Sequence, residues 1–167
     1  MLTRLLPAAG LLLLLACAAV RAQDKGAAEE MHSREAMRGL EAVRVRVETV
    51  PLIPGVTAAL IERGVVERLR AAGLRVLTGE EAKSMPRTPV FFYRVTMSTV
   101  CGYAGSIDMQ LREAVRVTRA PGTEAMAATW QHIGYVQISP ADPVRLVEGL
   151  VSFVDVFAKE YNAANGR

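Results

Sequence analysis

The chain has 167 residues, 51% of them hydrophobic and 22% charged, with a formal net charge of +3. That length suits one domain, and the composition excludes a collagen-like, low-complexity or disulfide-dense protein. Cleavage after Ala22 removes Arg4 and Arg21 and leaves 18 basic against 17 acidic residues, a balance of +1, so no nucleic-acid footprint is present.

The first 22 residues read as an export signal. Met1 to Arg4 carries one positive charge, Leu5 to Val20 is apolar throughout, and Val20 and Ala22 form a small-residue cleavage pattern before Gln23. The apolar stretch is 16 residues long and holds Pro7 and Gly10, short of the ~20 that a spanning helix needs. A second reading stays open. Leu14-Leu15-Ala16-Cys17 resembles a lipobox, in which case the signal is 1–16 and Cys17 is acylated and becomes the new amino terminus. Leu15 stands where such motifs usually carry a small residue, which favours plain cleavage. Location follows as periplasmic or outer-membrane-associated, alternatively extracellular, with the membrane met only through a lipid on Cys17. Cys101 is then the one remaining cysteine, so no intramolecular disulfide forms, and a buried thiol is expected.

Residues 23–39 are rich in Ala, Glu and Arg without a sustained apolar face and read as a flexible tether ended by Gly39. The folded domain is expected over 40–162. Val43 to Glu48 alternates strictly, the signature of a strand with one buried side. Val56 to Ala72 puts Leu60, Ile61, Val65, Leu69 and Ala72 on one helical face, with Gly73 at the C′ position. Leu74 to Leu77 is a short strand, and Thr78 to Pro89 is expected to be loop. Val90 to Val100 aligns Phe91, Tyr93, Val95 and Met97. Gly102 and Gly105 mark a turn, and Ile107 to Thr118 alternates again. Pro121-Gly122 is a second turn, and Ala127 to Ile138 is the last strand, with Trp130 on its core side. Ser139, Pro140 and Asp142 then supply a helix start, and Val144, Val147, Leu150, Val154, Phe157 and Tyr161 a long apolar stripe, Tyr161 leaving its hydroxyl at the rim. Residues 163–167 form a polar tail.

This order, β-α-β-β-β-β-α, predicts a two-layer α/β (α+β) sandwich with a mixed five-stranded sheet and two helices on one face. The element order, with Val65 to Leu77 (VVERLRAAGLRVL) as helix-to-strand and a long helix ending the chain, resembles small bacterial envelope modules. The amino-terminal domain of TolB and the CsgG-type secretion lipoproteins share this layout. The resemblance covers roughly residues 40 to 162, carries over no functional residue, and implies envelope assembly or scaffolding work.

Chemistry is sparse in the pattern. His32 and His132 are the only histidines, and no C-x-x-C, H-x-x-H or H-E-x-x-H occurs, so neither metal nor cofactor is expected. No phosphate-cradling glycine loop and no G-x-S-x-G is present. Glu29-Glu30 and Glu80-Glu81 read as solvated charge, since adjacent residues do not face one another on a helix. The constellation that remains is an arginine set on the open side of the sheet: Arg44, Arg46, Arg94, Arg112 and Arg116, suited to carboxylates or phosphates. Salt bridges to Glu48, Asp108 and Glu113 would make the same set a solvated face. The expected function is therefore a non-enzymatic interaction module, its partner an envelope protein or a second copy. The alternative is a small enzyme or ligand-binding protein using the Cys101–Asp108 turn with His132.

Overall fold

The computed structural model describes residues 34–50, 55–98, 103–138 and 143–167. Cys17, His32, Cys101 and the expected helix start at Ser139 to Asp142 lie outside them. Strand β1 (Ala42–Val50) alternates as its residues do: Val43 is buried, Val45 and Val47 pack against the core, and Arg44, Arg46 and Glu48 take the other side. Helix α1 (Ala58–Ala71) starts where Thr57 Oγ1 accepts the Leu60 N–H at 3.2 Å, and it buries Ile61, Val65 and Leu69. Its end is a Schellman motif. The Leu74 N–H donates to Leu69 O at 3.1 Å and the Gly73 N–H to Arg70 O at 2.9 Å, with Gly73 at φ +81°. The reversal lays β2 (Arg75–Val76) beside β1, parallel to it.

Where a loop was expected, the chain forms α2 (Gly79–Ser84). A capping box builds it: Thr78 Oγ1 accepts the Glu81 N–H at 3.3 Å, and Glu81 Oε2 accepts the Thr78 N–H at 2.8 Å. Glu81 is thus a structural carboxylate as well as a solvated one. The Thr78 backbone, then Arg75 at 2.6 Å, then the Thr78 hydroxyl hold its pKa at about 2.

Strands β3 (Val90–Ser98), β4 (Tyr103–Arg116) and β5 (Glu124–Ile138) complete a mixed sheet of order β2-β1-β3-β4-β5. β3 runs parallel to β1, and the two following pairings are antiparallel. Gly105, expected in a turn, lies inside β4 opposite Met97, and β5 begins before the expected Ala127. A bulge at Leu111/Arg112 bends the far part of the β4–β5 hairpin.

The closing stripe forms two helices, α3 (Pro143–Ser152) and α4 (Val154–Ala164), interrupted at Phe153. Ser152 Oγ donates back to Gly149 O at 2.8 Å, a contact that competes with the helical ladder. The Phe153 ring lies on Gly134 of β5, where a Cβ would stand 2.2 Å from Phe153 Cε1. The Tyr93 hydroxyl donates to Leu150 O, satisfying one of the carbonyls that the end of α3 leaves over, and burial pushes the Tyr93 pKa upward.

Helices α1, α3 and α4 all pack on one side of the sheet, in a single core with Val43, Phe91, Tyr93, Ile107, Met109, Leu111 and the buried Trp130. This is the expected two-layer arrangement, with the expected closing helix split into α3 and α4 and the short α2 added. None of the helices in the described residues is long and apolar enough to cross a membrane.

Both ends of the folded domain are more firmly held than their composition suggests. Met37 is fully buried, ahead of the expected domain start at Leu40. Asn165 Oδ1 accepts the Gly39 N–H at 2.9 Å, and its Nδ2 donates to Met37 O at 3.0 Å. Arg167 donates to Gly73 O at 3.0 Å. Tyr161, expected to keep its hydroxyl at the rim, is buried and donates to Leu40 O at 3.2 Å.

Two outcomes follow from these contacts. Gly134→Ala is expected to lower unfolding stability by about 1–3 kcal/mol through overlap with Phe153, and Gly134→Ala/Phe153→Ala to lose less than the two single changes combined, read from urea midpoints. Because folding holds the Glu81 pKa below its ordinary 4.5, its contribution is full above pH 4.5 and fades as pH falls toward about 2. Wild type should therefore exceed Glu81→Gln in melting temperature at pH 6, and the gap should close across that acid window.

Candidate functional site

The uncovered side of the sheet can be read row by row from the pairing. The first row is Arg44, Val90, Arg112 and Ala128, and the second Arg46, Phe92, Gln110 and Gln131. The third is Glu48, Arg94, Asp108 and Ile133. In the fourth, Thr96, Ser106 and Tyr135 follow. Positive charge therefore gathers at the end where β1 and β3 begin. Four of the five expected arginines share this field. Arg116 does not join them, because it lies further along β4, beyond the end of its pairing with β3, opposite Glu124 of β5.

Phe92 is the floor of the field. It belongs to the polar phase of β3 yet is only 1% exposed, because two guanidinium groups roof it: Arg112 at 3.7 Å from the ring centre and Arg94 at 5.0 Å. Arg112 Nε also donates to Gln110 Oε1 at 2.7 Å. Glu48 accepts from Arg46 at 2.9 Å and from Arg94 at 3.2 Å, as expected. Asp108 and Glu113 depart from expectation. Asp108 accepts amide donors, Gln110 at 2.9 Å and Gln131 at 3.0 Å, while Glu113 accepts the Thr129 hydroxyl at 2.7 Å. Asp108 is two rows away and taken by amides, and Glu113 has the opposite parity on β4 to Arg112, so neither neutralises the first row. Arg44 shows it most plainly, its Nε buried without a hydrogen-bond partner among the described residues.

A groove of about 540 Å³ opens here, lined by Arg44, Arg46, Phe92, Arg112 and Met126 on one side and by Val45 and Val66 on the other. It wraps the outer edge of β1. Pattern reasoning on the arginines missed Phe92 and this edge. An aromatic residue in phase with Arg94 and Thr96 was the available signal for Phe92, and the two-residue length of β2 is what exposes the edge.

Of the residues of the catalytic alternative, Cys101 lies outside the described residues, and Asp108 and His132 are on opposite sides of the sheet. Asp108 faces the open side. His132 sits opposite Met109 on the helix side, half-buried and stacked on Trp130 with ring centres 6.3 Å apart. Strands β3 and β5 are separated by β4, so they offer no shared turn between those groups.

No protein-family model matches the chain, and no curated protein matches it. Among solved structures, PelC from Paraburkholderia phytofirmans, a dodecamer, is 18% identical, with a TM-score of 0.45, over 70% of this chain and 86% of that one. The hypothetical protein CT253 from Chlamydia trachomatis is 14% identical, with a TM-score of 0.46, over 75% and 99%. Lipoprotein GNA1162 from Neisseria meningitidis is 16% identical, with a TM-score of 0.40, over 72% and 97%. A bacterial lipoprotein is among these three; a TolB or CsgG-type protein is not. None of them transfers a functional residue to this chain.

The two first-row arginines should separate on removal of charge. Arg112→Met loses the Gln110 bond and the cation over Phe92 and should cost about 1–2 kcal/mol, whereas Arg44→Met relieves an unpaired buried donor and should leave stability unchanged or raise it, measured by urea unfolding.

Proposed function

We propose that the chain is an exported, non-enzymatic protein of a bacterial envelope that serves as an assembly module through protein contacts. It is periplasmic, or held on the outer membrane by a lipid at Cys17. The leader from Met1 to Ala22 supports export. One observation carries the contact reading: Tyr135 is 80% exposed and Ile133 51% exposed on the side of the sheet that receives no core helix. Single exposed apolar groups are ordinary on soluble proteins. Here two of them follow one another at alternate positions of β5, an edge strand with β4 as its one strand neighbour among the described residues, and they adjoin a field of arginines. Aromatic and arginine side chains beside an open strand edge are the composition of a surface kept for a partner. The partner is an envelope protein or a second copy of the chain.

Two measurements test this. The intact mass of the native mature chain should start at Gln23 or at an acylated Cys17; a chain retaining Met1 to Ala22 without acylation overturns export. A photo-crosslinking residue in place of Tyr135 should give discrete protein adducts in intact cells that the same residue in place of Lys159, exposed on α4, does not give. Equal capture at the two positions would remove the open side as the contact surface.

A further inference from the structure

The sheet is unfinished along the outer edge of β1. β2 covers Ala42 and Val43, whereas β3 follows β1 on its other edge from Arg44 to Val50. The Val43 carbonyl accepts the Leu77 N–H at 2.9 Å, and the Arg44 N–H donates to Pro89 O at 2.8 Å. Peptide groups alternate in direction along a strand, so the N–H and C=O groups of Val45, Val47 and Thr49 point outward as those of Val43 do. Among the described residues no strand meets them. The groove lies on this line. Leu77 and Thr78 stand at one end, Val45 and Val66 on its helix side, and Arg44 and Arg46 on its open side.

We infer that this edge takes an extended, acidic peptide segment of a partner protein as an added strand that continues the line of β2. The inference rests on the reading that the chain works through protein contacts, and it supplies the partner's chemistry. A strand bonded to the outward groups of Val45 and Val47 runs about 4.8 Å from β1 and sends its side chains alternately to the two sides of the sheet. Those on the open side stand beside Arg44 and Arg46; those between them stand over Val45 and Val66. The matching segment therefore alternates carboxylate and apolar residues. Arg44 gives the charge requirement its weight. Its Nε is buried without a hydrogen-bond partner among the described residues, and a carboxylate brought alongside the guanidinium offsets that desolvation through its opposite charge. Glu62, which also lines the groove, repels an acid from the apolar positions and so sets the register. A basic segment would meet two guanidinium groups at the same place.

The test uses the mature chain from Gln23, labelled with ¹⁵N, and an eight-residue synthetic peptide of alternating Glu and Val. Controls are alternating Lys and Val, and a peptide with four Glu followed by four Val. Saturable binding by fluorescence anisotropy is expected for the alternating acidic peptide, and Arg44→Glu or Arg46→Glu should weaken it about tenfold. Amide exchange at Val45 and Val47 should slow about tenfold or more in the complex. Val45→Pro, which removes an outward N–H and keeps both arginines, should abolish binding while circular dichroism stays unchanged. The proposal is overturned if the block or lysine peptide binds as well, or if binding leaves exchange at Val45 and Val47 unaltered. It is equally overturned if those amides are already protected in a self-associated chain without peptide. Failure here with selective crosslinking retained at Tyr135 removes this edge alone; failure of both removes the contact reading as well.

Discussion

Phe157 decides which side of the sheet stays wet. Its ring centre lies 4.7 Å from that of Phe91 on β3 and 5.0 Å from that of Trp130 on β5, in tilted and edge-on arrangements. This contact brings α4 onto the side already occupied by α1. Trp130 Nε1 donates to Glu160 at 2.8 Å and secures the same helix to β5. Were α4 on the other side, the arginine rows would lie beneath a helix, and Arg44, Arg46, Arg94 and Arg112 would need burial that costs a charged group heavily unless every donor is paired. The strand alternation and the position of the last helix thus enforce one another. Apolar parity calls for cover on one side, and charge on the other parity forbids it.

Elements whose signal is periodic were legible before any coordinates. Strict alternation placed Phe91, Tyr93, Val95 and Met97 together, and the three- and four-residue steps of Ile61, Val65 and Leu69 placed α1. What escaped was set by single contacts between distant residues. The seat of the Phe153 ring on β5 depends on Gly134 lacking a side chain nineteen positions earlier in the chain. The place of Met37 depends on Asn165, whose amide serves the backbone groups on both sides of Arg38, the Met37 carbonyl and the Gly39 N–H. No window of local sequence contains such pairs. The helix at Gly79–Ser84 is a different case, since T-x-x-E at Thr78 and Glu81 is a local signature that the neighbouring prolines obscured.

The arginine set was half legible in the same sense. Parity alone places Arg44, Arg46, Arg94 and Arg112 on one side, and the sheet register confirms the rows. Parity cannot say which arginines are neutralised, because that depends on which acids are taken by other donors. Glu48 serves two arginines, but Asp108 is occupied by Gln110 and Gln131. Two glutamines therefore govern the electrostatics of the field as much as its charged residues do. They draw one carboxylate away, Gln110 also holds Arg112 over Phe92, and Arg44 is left with an unused buried donor.

The open edge and the capping box have one origin. A longer β2 would run along Val45 to Thr49 and leave β1 no free peptide groups. It stops at Val76 because Thr78 turns the chain into α2, and that turn is stabilised by the Glu81 carboxylate on the Thr78 N–H and by Arg75 from β2 itself. A carboxylate on the surface, with its pKa held near 2, thus sets the length of a strand and with it the exposure of the next. Replacing that turn by residues of high strand propensity would extend β2 over β1 and close the groove beside Arg44, so the edge is present because a local helix signal outcompetes sheet pairing at Thr78.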